Sequence, residues 1–384
     1  MLYNEFKFKK RYFNCGSVGI IPRSSIKKIH KNMEDESSNP TGKKICERLI
    51  SVYYDVKKEM GTFLNVNYDN LAYVQSTNVG IGTILASFHW NDGDEVIIGN
   101  NEYIDGILPF LALQKKFGVK IRVVNSSNLI NEINSVMNDK VKMVFVSHIE
   151  CSTGVEHDII RLCREVENRE NIKIMIDGAQ AVGQIDLIGL ENVDFYIFPF
   201  HKWMLGPMGT GMVYIGDRQI EQLCPITLSS IGGEITTDND IVLKSKAMRI
   251  ENSSFNFSMY SAILNNLNLM KGIEIQRIYQ TIEELAEYFA QKAVKLKGIE
   301  EGTVYQNNGM VFIYFPKEID VEYLRKKLEE SECICRTFRE KNCLRFCFHI
   351  YNSKEDIDVL CSALERVIGA VTNKERTNIN SNIC

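Results

Sequence analysis

From about residue 70 onward the chain alternates short β-rich runs with longer stretches of helical spacing, and this alternation narrows its possible folds more than any other feature. The runs are LAYVQ (71–75), DEVIIG (94–99), KIRVV (120–124), KMVFVSH (142–148), KIMID (173–177), DFYIF (194–198) and GMVYI (211–215). They lack strict apolar–polar alternation, so each strand is expected to be buried on both faces. Between them apolar residues recur at three- and four-residue spacing, as in Ile104, Ile107, Leu108, Leu111 and Leu113 with Phe117. Strands of this kind need helices over both faces. The pattern predicts an α/β domain on a mostly parallel, seven-stranded sheet.

Beyond about residue 260 the pattern changes. A long helical stretch, Met259 to roughly Lys297, leads to short strands MVFIYF (310–315) and CLRFCF (343–348), separated by the helix-like EYLRKKLEES. This reads as a smaller α+β domain. The opening YFNCGSVGIIP has too little pattern to be placed by itself.

Composition excludes several classes. An apolar fraction of 45% with 24% charged residues is ordinary for a globular chain and rules out disorder and collagen-like structure. The net charge of −4 offers no broad basic field to nucleic acid or anionic lipid. No apolar run follows the basic N-terminal residues, as a signal peptide requires, and none approaches the roughly 18 residues of a membrane helix. The eleven cysteines are scattered without C-x-x-C pairs, and Cys333-x-Cys335 alone makes no zinc site. Reduced thiols in a cytoplasmic protein are the expectation.

In a parallel α/β sheet, ligands sit beyond the carboxyl ends of the strands, so the polar residues that end the apolar runs matter most. Ser76, Thr77 and Asn78 follow LAYVQ and open a helix, an arrangement that caps the helix and can also bind an anion such as phosphate. Asp177 ends KIMID, with Gly178, Ala179 and Gln180 behind it. His201 and Lys202 stand between FPF and Trp203, where an unpaired ammonium would be costly. A phosphate cradle, a carboxylate and a buried lysine together are what a pyridoxal phosphate (PLP) site requires.

The stretch MIDGAQAVGQIDL…VDFYIFPFHKWMLGPMGTGMVYI (175–215) resembles the PLP signature of the class V aminotransferases. Further correspondences run along nearly the whole chain. The resemblance implies a PLP-dependent transferase fold of type I, a homodimer with shared active sites, and a large domain over 16–257 with a small one formed by 1–15 and 258–384. It also implies roles for individual residues. Lys202 would hold PLP as a Schiff base, Asp177 would pair with the pyridine nitrogen, and Gln180 would bond the phenolic oxygen. Thr77, with the amides near Ser76 and Asn78, would hold the phosphate together with His201, and Ser254 in MRIENSS (248–254) would reach the other subunit's phosphate. Tyr103, in NNEYIDGILPF, falls where the family stacks a ring over the cofactor. Arg345, in CLRFCFHIYNSKEDIDVL, falls where the family's arginine takes the substrate α-carboxylate, and the opening segment adds Ser17 to the substrate side.

Two positions depart from the family pattern. Pro199 stands where a phosphate-binding hydroxyl is usual, and Cys151 where many desulfurases carry Asn. The opening YFNCGSVGIIP, Tyr103 and the compact CICRTFREKNCLRFCF point toward the isopenicillin N epimerase and cystine lyase branch rather than the desulfurases. In that branch elimination of a β-substituent needs only removal of the Cα proton and a leaving group. Transamination or epimerisation, cysteine desulfuration with Cys335 or Cys343 as the thiol, and a non-catalytic cofactor- or partner-binding protein are the other readings.

Overall fold

The structure is a computed structural model that describes residues 5–6, 10–166, 171–300 and 302–381, without the side chains of 371–381. Positions 1–4, 7–9, 301 and 382–384 of the expected small domain lie outside the described residues, as do 167–170 of the large one. The chain groups into two compact units, one of Ser24–Cys151 with Val155–Leu269, the other of Met1–Arg23, Ser152–Gly154 and Met270–Cys384. The resemblance implies divisions at 15/16 and 257/258, and the sequence pattern changes near residue 260. The helix Phe257–Ile273 runs unbroken past the second of these, so periodicity carries no mark there.

The large unit is built on seven strands: β1 (Leu71–Val74), β2 (Glu95–Gly99), β3 (Lys120–Val124), β4 (Val141–Ser147), β5 (Lys173–Asp177), β6 (Phe195–Pro199) and β7 (Gly211–Ile215). Their order across the sheet is β1-β7-β6-β5-β4-β2-β3. Strand β7 is antiparallel to both its neighbours, and the other pairings are parallel. Burial on both faces explains the apolar runs of every one of these strands except β3, where the expectation fails: as an edge strand it leaves Lys120, Arg122 and Val123 exposed. Val96, Ile98, Met143, Phe145, Phe195, Ile197, Val213 and Ile215 pack on one side with the helices Thr77–Ala86 and Ile104–Phe117, while Ile97, Val144, Ile176 and Phe198 are buried on the other. At the outer edge, the Glu95 carboxylate takes a two-bond fork from Arg122 at 2.5 and 2.8 Å, which pulls its pKa down to about 2.

The small unit holds a four-stranded antiparallel sheet in the order Val304–Asn307, Met310–Tyr314, Cys343–Cys347, Arg336–Phe338. Leu344 and Phe346 join Phe13, Phe289 and Phe348 in its core. The N-terminal segment, unplaced by sequence, is tied to this sheet: Arg11–Tyr12 pairs in parallel with Cys333–Ile334, and the Cys347 amide donates to the Phe13 carbonyl at 2.8 Å. The long helical stretch expected from Met259 to about Lys297 is made of two helices, Phe257–Ile273 and Ile275–Ala293. They are separated by Glu274, whose φ of 71° breaks the helix while the apolar spacing continues across it. Among the described residues no helix is long and apolar enough to cross a membrane.

Close approach at the end of β5 demands glycine. A Cβ on Gly178 would lie 2.1 Å from the Tyr196 ring, whose hydroxyl is fixed at 2.8 Å from His148 Nδ1. Gly178→Ala is therefore expected to cost about 1–3 kcal/mol of overpacking, read as a lower urea midpoint with an unchanged slope.

Candidate active site

Parallel strands finish on one edge of a sheet, and here that edge collects the polar residues. Strand β1 runs out into Ser76–Asn78, β2 into Glu102 and Tyr103, β4 into His148 and Glu150, β5 into Asp177, and β6 into His201 and Lys202. Ser76 is the N-cap of Thr77–Ala86, its hydroxyl accepting from the Val79 amide at 3.2 Å. Asn78 donates to the Asp105 carbonyl at 2.7 Å and so ties this helix start to that of Ile104–Phe117.

Asp177 is buried, and burial raises its pKa against the opposing pull of Lys202 and the Ala179 N–H, which donates to Oδ1 at 2.8 Å. The Lys202 ammonium stands 6.0 Å from the centre of the Tyr103 ring. Gln180 Oε1 accepts from the Trp203 indole at 2.9 Å. An indole nitrogen only donates, so this bond turns the Gln180 amide's NH2 end away from Trp203. Lys202 itself lies in a tight loop in which Gly206 N–H bonds the Phe200 carbonyl and Leu205 has a φ of 55°. The buried Asn266 clamps that loop by donating to the carbonyls of Met204 and Leu205 at 2.9 and 2.8 Å.

His201 Nδ1 is buried and has no hydrogen-bond partner, and burial, with Lys202 nearby, lowers the imidazole to about 4. A buried polar atom left so is costly and wants a ligand. The chemistry of these groups fits PLP: hydroxyls and amides at a helix N-terminus and an imidazole suit a phosphate, a buried carboxylate suits a ring nitrogen, an amide NH2 a phenolic oxygen, and a lysine amine an aldehyde. Pro199 closes β6 and donates nothing, and the exposed Ser254, at a φ of 61°, borders a cleft of about 110 Å3 shared with Gln75, Val79 and Gly209.

In the small unit Arg345 is 1% exposed in the middle of the strand Cys343–Cys347. Its Nη2 donates to Ser17 Oγ at 3.0 Å and to Asn14 Oδ1 at 3.3 Å, so the structure brings together the two residues assigned to the substrate side. Sequence reasoning missed Arg336. It pairs directly with Arg345 across the strands, donates to the same Ser17 Oγ at 3.1 Å, and like Arg345 lies 5.3 Å from the Phe338 ring centre. Cys335 and Cys343 are buried, and burial pushes both thiols up, that of Cys343 to about 12.

The fold and this constellation define a PLP enzyme of fold type I. The class V aminotransferase family profile matches residues 12–360, and the chain belongs to that family. It is 23% identical to a probable cysteine desulfurase of Methanothermobacter thermautotrophicus, over 93% of this chain and 94% of the relative. To the isopenicillin N epimerase of Amycolatopsis lactamdurans it is 22% identical, over 92% and 94%. Among solved structures it resembles the cystine C-S lyase C-DES in complex with its reaction product cysteine persulfide, with a TM-score of 0.85, 21% identity, and 93% and 97% of the two chains covered.

Glu102 makes a testable point about this edge. Its carboxyl accepts from the Ser147 amide at 2.9 Å and meets Ser147 Oγ at 2.5 Å, yet burial raises its pKa to about 8, with Asp177 and Glu150 adding to the rise. The folded state thus keeps the proton that the unfolded chain gives up near pH 4.5, and the wild type loses stability as pH rises through that window. Glu102→Gln is expected to gain on the wild type by on the order of a few kcal/mol between pH 5 and pH 8, measured by urea unfolding. A gap that is constant with pH would show Glu102 ionised throughout.

Proposed function

We propose that this enzyme is a lyase that eliminates a sulfur-linked β-substituent from an amino acid. The observation that carries the reading is the setting of Arg345: a buried guanidinium beside a second one, on a strand whose flanking thiol, Cys343, is buried and held protonated. PLP supplies an aldehyde for the substrate amine and a ring that draws electrons from Cα. Lys202 Nζ is the base that takes the Cα proton and can return it. Asp177 holds a proton on the ring nitrogen, and Gln180 donates to the phenolic oxygen. Thr77, the amides near Ser76 and Asn78, and His201 bind the phosphate, while Tyr103 covers the ring. Arg345 takes the α-carboxylate as a two-bond fork, with Ser17 orienting the guanidinium. Arg336 suits a second carboxylate, as in a disulfide-linked amino acid. Elimination from cystine with one water then yields pyruvate, ammonia and cysteine persulfide.

Desulfuration is the second reading, and one observation favours it. Burial drives the Cys347 thiol up, but its contact with Cys15 and the nearby Arg345 guanidinium pull it the other way, below the usual thiol range, and it stands only two residues from Arg345. A persulfide on Cys347 with alanine as co-product would establish that chemistry. We further propose a homodimer, supported by the exposed apolar stripe Ile104, Leu108 and Leu111 at helical spacing, with Ser254 serving the second copy's phosphate. The free thiols of all the described cysteines support a cytoplasmic setting.

Given cystine, the protein is expected to release pyruvate and ammonia in equal amounts. Arg345→Ala should keep its cofactor spectrum and lose on the order of 100-fold in kcat/KM, at ~1.4 kcal/mol per decade, for every amino-acid substrate. Arg336→Ala should lose activity on cystine while keeping it on the monocarboxylate S-methylcysteine. Equal losses on both substrates would refute the second-carboxylate role, and alanine in place of pyruvate would refute the elimination.

A further inference from the structure

The large unit buries an ion pair, Lys57–Glu251, that the proposed chemistry does not use. Glu251 is 2% exposed and Lys57, from the helix Lys43–Leu64, is 4% exposed. Lys57 Nζ stands 2.7 Å from Glu251 Oε1, and the same oxygen accepts the Tyr73 backbone N–H at 2.9 Å. The Tyr53 hydroxyl donates to Oε2, and Lys57 Nζ also bonds that hydroxyl at 3.0 Å. Burial lowers the Lys57 ammonium's pKa while Glu251 pulls it back up, so each charge depends on the other.

Such a pair adds little net stability compared with an apolar pair of the same volume, so its use must be sought in what it orients. Tyr73 lies in β1, which among the described strands is an edge strand paired only with β7. Its outward N–H has no strand to bond, and the Glu251 carboxylate takes the place of one. Two residues beyond the end of β1 begins the Ser76–Asn78 helix start. Three residues beyond Glu251 lies Ser254, on the same cleft as Gln75 and Val79.

We propose that the Lys57–Glu251 pair is a positioning device for the phosphate end of the cofactor, holding the end of β1, and with it Ser76–Asn78, in place against the 251–254 segment. Neither residue touches the cofactor; both act through the backbone they hold. The proposal rests on reading Ser76–Asn78 as the phosphate seat and is independent of which bond the enzyme breaks.

The test is equilibrium dialysis of cofactor-free protein with PLP and, separately, with pyridoxal, which lacks the phosphate. Glu251→Gln and Lys57→Met are each expected to weaken PLP about tenfold or more, as loss of an orienting partner does elsewhere, and to leave pyridoxal within about twofold. The double variant should lose less than the product of the single losses, because no charge is left unpaired. Tyr53→Phe removes one bond and leaves the charges intact, so it carries the test should either charge variant fail to fold. It should weaken PLP by a smaller factor and pyridoxal not at all. Parallel loss of both ligands, or loss of neither, would overturn the proposal. Thr77→Ala separates the premise from the inference: an unchanged ratio of PLP to pyridoxal affinity in that variant would overturn the phosphate seat itself, whereas a changed ratio there with none in the Glu251 and Tyr53 variants would overturn only the positioning role.

Discussion

Burying Asp177 at the end of a central strand is the constraint around which the large unit is arranged. A carboxylate taken from water needs a cation or several donors, and Asp177 has the Ala179 amide and the field of Lys202. Those two are delivered by different devices. The amide comes from the turn after β5, where only glycine fits beside Tyr196, and the lysine comes from the loop after β6 that Asn266 clamps. The edge is otherwise rich in acids, with Glu102 and Glu150 buried nearby, and its imidazoles at 148 and 201 are held neutral by burial.

Much of this was legible in the sequence, for identifiable reasons. KIMID and GMVYI match their strands residue for residue, because strands buried on both faces are written as largely apolar runs, and KIRVV matches its strand too although that edge strand is mostly exposed. Asp177, His201 and Lys202 could be picked out because each stands where such a run stops. The legible part ends where register and long-range bonding begin. Arg336 sits in the three-residue edge strand Arg336–Phe338, too short to leave a pattern, and its place beside Arg345 comes from strand pairing alone. Glu251 could be matched to a motif, but its partners at positions 53, 57 and 73 lie far away along the chain. The break at Glu274 was hidden by apolar spacing that ignores one left-handed residue.

The small unit handles a buried charge differently. Arg345 donates to the neutral oxygens of Asn14 and Ser17 and lies by the face of Phe338. Neutral acceptors orient a guanidinium without cancelling its charge. The N-terminal segment earns its place by supplying both oxygens, and its pairing with Cys333–Ile334 and Cys347 fixes where they stand.

The sheet of the large unit also has an outer margin, the strand β3, whose far side pairs with nothing among the described strands. Such a margin is a template on which another chain can add a strand. Here it presents Lys120, Arg122 and a Val123 that is 61% exposed, and the Arg122 guanidinium is kept on the surface by its fork to Glu95. A second sheet approaching edge to edge would have to strip water from two cations to reach one valine. The fork that closes the outermost strand pair is thus also a guard against fibrous growth, a protection that matters most while newly made chains are crowded and only partly folded.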